Sequence, residues 1–76
     1  MIWRADAEED AAIVAALERV NSEYPDDGTG VRSLKRGLVL AELAQVAAVE
    51  FRYGLAEKLA VCAAIETCHA VARAEP

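Results

Sequence analysis

Glu66, Thr67, Cys68 and His69 set a carboxylate and an imidazole three residues apart. On a helix, positions i and i+3 share a face, so the two side chains are placed either to grip one ion or to touch in solvent. A further acid, Glu42, comes level with Glu66 if the chain reverses at Gly54, since each lies twelve residues from that glycine. His69 is the only histidine, so nucleophilic catalysis would rest on it alone. No serine, histidine and acid set can be composed, and a protein without catalysis is expected.

A Glu-x-x-His pair joined by a glutamate from a neighbouring helix resembles the ligand pattern of ferritin-like proteins. The resemblance covers Glu42, Glu66 and His69. It implies a di-iron or di-manganese centre built across a dimer of helical hairpins, each chain giving those three residues. The plainer reading is a solvated Glu–His contact on a helix surface. That reading is adopted, with no metal and no cofactor, and the ferritin-like dimer stands as the alternative. Cys62 and His69 share a face but lie seven residues apart, about 10.5 Å along a helix. One zinc ion holds its ligands within about 2.3 Å, so a single chain cannot offer both. Cys62 and Cys68 fall in alanine-rich sequence, where a thiol acts as a small buried hydrophobe. They are turned about 240° from one another on a helix and cannot bridge within it.

Gly28-Thr29-Gly30-Val31-Arg32-Ser33, followed by Lys35 and Arg36, brings pliable backbone and three bases to a helix start, a place where anions can bind. The spacing does not match a phosphate-binding loop, which needs Gly-Lys-Ser/Thr after four intervening residues. A turn followed by bases that meet the acidic first segment accounts for it.

The elements that must hold these residues are helical. Asp6-Ala7-Glu8-Glu9 has the capping-box form, with Ile2 or Trp3 placed to pack over the first turn. Ile13, Leu17, Val20 and Tyr24 then recur at four, three and four residues as one apolar stripe. Pro25-Asp26-Asp27-Gly28-Thr29-Gly30 ends the helix and turns the chain. A second helix is predicted over 33–53, capped by Ser33 and weakened near its start by Gly37. A third follows a break at Gly54 and runs over 55–74. One unbroken helix of about forty residues would need a sustained heptad seam, and none crosses Gly54. Along the third helix, Val61, Ile65, Cys68 and Ala72 form an apolar stripe expected in the core. The line of Leu55, Leu59, Cys62, Glu66, His69 and Arg73 turns polar.

Seventy-six residues make a single small domain, near the lower limit for one core. Apolar residues are 55% of the chain, but many are alanine and only 5% are aromatic. At about 25 cal/mol per Å² such side chains gain little, and self-association is the ready supplement. Leu38–Val49 is apolar almost all round, interrupted by Glu42 and Gln45. A membrane span needs about 20 such residues; this run is too short, so no membrane partner is expected. Two short neighbours cannot cover every side of it, and Leu38, Leu40, Val49 and Phe51 are the side chains expected to supply a surplus interface.

The net charge of −5 argues against general nucleic-acid binding. Residues 1–30 carry net −6 and residues 31–53 net +2, a distribution that suits neighbouring segments. Two unpaired thiols and the lack of a leader-like start point to a reduced, cytoplasmic protein. The expected fold is all-α: a three-helix antiparallel bundle (6–23, 33–53, 55–74) completed by dimerisation. The expected role is protein association, chiefly with itself as a homodimer. A regulator or inhibitor that binds a basic protein partner through the acidic first helix is the other interaction reading.

Overall fold

Three helices carry residues 6–74, the part of the chain that the computed structural model describes, with Asp6 described by its backbone alone. They are α1 (Asp6–Glu23), α2 (Gly30–Val49) and α3 (Tyr53–Ala74). There is no strand among the described residues. The packing expected of Ile2 or Trp3 and the capping role of the Asp6 side chain lie outside what is described.

The first helix follows its pattern closely. Ile13, Leu17 and Val20 turn inward, Val20 completely, while Glu18, Arg19 and Glu23 stay outside. The turn after it is built from its own side chains. Asp26 Oδ1 accepts from the Gly28 amide at 2.9 Å, and Asp27 Oδ1 accepts from both the amide and the hydroxyl of Thr29. Gly28 sits at φ +83, the left-handed region that glycine enters without penalty.

The second helix starts three residues before the predicted one. Thr29, held extended by Asp27, is the N-cap, and its Oγ1 accepts from the Arg32 amide at 3.1 Å. Ser33 is not a cap. It is wholly buried inside the helix, where its hydroxyl oxygen accepts from Arg73 Nη1 at 2.6 Å.

The reversal also comes earlier than Gly54. The Arg52 amide bonds to Ala47 O and the Phe51 amide to Ala48 O, the paired contacts of a Schellman termination. Phe51 takes the left-handed position, φ 62, that glycine usually occupies there. Gly54 lies instead in the first turn of α3, and a Cβ on it would collide with the Glu9 carboxylate. That carboxylate is the far end of a flexible side chain, which can move aside.

The α2–α3 hairpin is the body of the molecule, and α1 lies along one side of it. At two places the hairpin's backbones nearly touch. A Cβ on Gly30 would stand 2.9 Å from Ala70 O, and one on Gly37 would stand 3.2 Å from Ala63 O. Gly37 is thus a packing position and not merely a weak point of the helix. The core gathers Val20, Leu40, Leu55 and Leu59 around Ala44, Ala47 and Ala63.

Two expectations are corrected by this core. Leu40 is 1% exposed, held by the chain's own helices and not available as surplus. On α3 the buried line is Leu55, Leu59, Ala63 and Ala70, while Val61, Ile65, Cys68 and Ala72 face out. The outline measures 47 × 21 × 20 Å with a radius of gyration of 13.2 Å, longer than the roughly 11.4 Å of a compact chain of this length.

Candidate interaction surface

The polar groups that suggested chemistry are used to fasten the fold. Glu66 Oε2 accepts from Arg36 Nε at 3.3 Å, and Arg36 is almost fully buried. The same guanidinium donates to Tyr24 O and to Asn21 Oδ1, both at 2.8 Å. Glu42 and His69 are exposed, and Glu42 lies about 200° round α2 from the buried Leu40. The three residues of the ferritin-like pattern are therefore not brought together within one chain. Among the described residues no group of three or more His, Cys, Asp or Glu is arranged to hold a metal. Cys62 lies at the edge of the core, whereas Cys68 is exposed and does not serve as the buried hydrophobe expected of it.

The bases at the start of α2 are likewise engaged. Arg32 Nη1 donates to Pro25 O at 2.6 Å, and the Lys35 ammonium lies 5.7 Å from the centre of the Tyr24 ring. The acids of α1 meet α3 instead, Glu9 pairing with Lys58 at 3.0 Å.

The two loop aspartates are held below the ordinary aspartate pKa. For Asp26 the main cause is the Gly28 amide, followed by Arg73; for Asp27 it is the Thr29 hydroxyl, then the Thr29 amide. A carboxylate whose pKa is lowered on folding stabilises the native state above the unfolded value, near about 4, and that contribution is lost as pH falls through the native value. Amide exchange at Gly28 and Thr29 should therefore accelerate, beyond the intrinsic pH trend, as pH drops below about 4. Unchanged protection down to about pH 2 would contradict these bonds.

With the polar groups accounted for, the feature left over is apolar. On α2, Arg36 reaches Asn21 of α1, and Val39 and Leu43 lie on the same side of the helix. Gly30, Leu34, Ala41, Gln45 and Ala48 fall on the opposite flank. On α3, Gly54 and Lys58 lie against Glu9 of α1, and Ala60, Ala64, Thr67 and Val71 fall on another side of the helix. These two flanks line successive open grooves along the hairpin. The groove at the α2 N-terminal end measures about 400 Å³ and is walled by Gly30, Val31, Leu34, Thr67, Ala70 and Val71.

Of the residues expected at an interface, Leu38, Val49 and Phe51 are exposed, Leu38 by 62%. Val31, Leu34, Val61, Ile65 and Val71 join them. Sequence reasoning missed Val61 and Ile65 because it assigned the outward stripe of α3 to the core. At the hairpin tip, Phe51 and Tyr53 stack edge to face, their centroids 6.2 Å apart. Tyr53 stands seven residues before Ala60, on the same line of α3 as Ala64 and Val71, so the aromatic pair closes the tip end of the open flank.

No helix among the described residues is long and apolar enough to cross a membrane. No family model, curated protein or solved structure matches this chain.

Proposed function

We propose that the chain is a helical protein-association module, without catalysis, that pairs with a second copy through the flank of α2 and α3 facing away from α1. The observation that carries this reading is the set of exposed apolar side chains on the open flank, Leu34 and Leu38 of α2 with Tyr53 and Val71 of α3. Exposed apolar patches of several hundred Å² commonly mark interfaces. The accessible surface supports the same view. It is 5103 Å², against about 4500 Å² for a compact monomer of this mass. The excess, about 600 Å², is smaller than the roughly 800 Å² that each partner buries in a standard interface but of the same order. Joining two hairpins by these flanks gives a four-helix core with an α1 on each outer side.

Sedimentation equilibrium tests this. The wild-type chain is expected to dimerise at micromolar concentration. Leu38→Glu should keep its helical circular dichroism, because the side chain is mostly exposed in one chain, yet weaken pairing by about tenfold or more. A chain that stays monomeric at about 100 µM, far above the Kd of a specific contact, would refute the proposal.

A second interaction reading draws on α1, whose outer side presents Glu8, Asp10, Glu18 and Glu23. In a dimer built as above these acids remain outside, where they suit a basic protein partner. The metal-site reading draws no support from the geometry, since Arg36 engages Glu66.

A further inference from the structure

The structure assigns Asp27-Gly28, in the corner between α1 and α2, as a site of spontaneous backbone isomerisation that the corner's own hydrogen bonds hold in check. It is the only place in the chain where an aspartate precedes a glycine. That pair is the most open to the reaction, because no Cβ screens the amide that attacks. Both residues are exposed, and nothing stands within 4 Å of the place a Cβ on Gly28 would take. Neither core packing nor a helix ladder shields the bond.

The step needs no co-reactant but water. The Gly28 nitrogen attacks Cγ of the protonated Asp27 side chain, the carboxyl hydroxyl leaves as water with the amide proton, and a cyclic imide joins the two residues. Water then opens the ring at either carbonyl. Opening at the main-chain carbonyl leaves the backbone running through the former side chain, which is isoaspartate at 27 with one more carbon in the chain path.

The corner opposes each part of this. The Gly28 amide donates to Asp26 Oδ1 at 2.9 Å, and a carboxylate so close disfavours the amide anion that would attack. Asp27 Oδ1 accepts from the Thr29 amide at 3.0 Å and from its hydroxyl at 2.7 Å, and ring closure turns the carboxyl group out of both bonds. The same two bonds keep that carboxyl ionised, whereas the departing hydroxyl requires the neutral acid. Reaction therefore proceeds from the opened corner, whose population the local stability sets. Its product would prevent reclosure. An added carbon before Gly28 carries the Asp27 carboxylate away from Thr29, the cap of α2, and lengthens the link between α1 and the hairpin. Isomerisation is thus a slow, one-way release of this corner.

Incubation at neutral pH in oxygen-18 water reads the reaction, since each imide that opens takes one heavy oxygen into residue 27. Fragment-ion mass spectrometry locates it there and distinguishes isoaspartate from aspartate. The native wild-type chain, native Asp26→Ala and the guanidinium-unfolded wild type are compared, with helical circular dichroism confirming that the variant is folded. The native wild type is expected to be slowest. Asp26→Ala should react about tenfold faster or more, the opening expected on loss of a charge-assisted hydrogen bond, and the unfolded chain should be fastest. No heavy oxygen at 27 in the unfolded chain would remove the site. Equal rates in the native and unfolded wild type would overturn the protection by the corner, and an unchanged rate in folded Asp26→Ala would overturn the part given to Asp26.

Discussion

Arg36→Ala should lower the unfolding free energy by about 3 kcal/mol, the scale for removing one partner of a buried ion pair. Arg36 holds Glu66 of α3, the Tyr24 carbonyl and Asn21 of α1 at once. Its loss leaves a half-buried carboxylate without its cation and two polar groups without their donor, each a desolvation cost. Arg36→Met with Glu66→Leu removes both charges and keeps the volume, and should recover much of the loss. Urea denaturation of the three proteins at pH 7 decides the matter. If Arg36→Ala shifts stability by less than about 1 kcal/mol, the range of a surface pair, the three-way clasp is not formed in solution.

Leu40→Ala should cost about 2–5 kcal/mol, the usual range for emptying a buried leucine site. A chain of this length has roughly 4–11 kcal/mol in all, at about 0.05–0.15 kcal/mol per residue. Leu40 is among the largest fully buried side chains, together with Val20 and Ser33, and the rest of the core is mostly alanine and two leucines. Thermal unfolding followed by circular dichroism should show a fall in midpoint well beyond that of Leu38→Ala, whose side chain is exposed. Equal shifts at 38 and 40 would mean that α2 is rotated from the orientation described.

The sequence made α1 legible because bulky residues mark its inner side and charges its outer, so periodicity had contrast to work with. Proline and the Asp-Asp-Gly run then marked the turn by simple stereochemistry. The start of α2 was misjudged because two hydroxyl residues, Thr29 and Ser33, compete as caps. What decides between them is Asp27, which holds Thr29 extended. The termination at Phe51 could not be anticipated from preference, since the fold places a phenylalanine where glycine is favoured.

The inner side of α3 was misread for a different reason. Hydrophobicity favours the bulk of Val61 and Ile65, but the close approach at Gly30 and Gly37 demands small residues opposite, and Ala63 and Ala70 provide them. Fit outranked bulk there, and the larger side chains were left outside. The apparent metal triad dissolved on similar grounds. Glu66 has a nearer cation in Arg36, whose place opposite it depends on the hairpin register, which the turn geometry sets.

That register has a mechanical outcome. With glycines at 30 and 37 seated against the α3 backbone, a one-turn slide of α2 along its neighbour would drive side chains such as Leu34 or Leu40 into carbonyl oxygens. Longitudinal slip, one common way for packed helices to relay a change, is therefore closed to this pair. Any change of shape then falls to α1, whose ties to the hairpin include the Arg36 clasp and the Glu9–Lys58 pair.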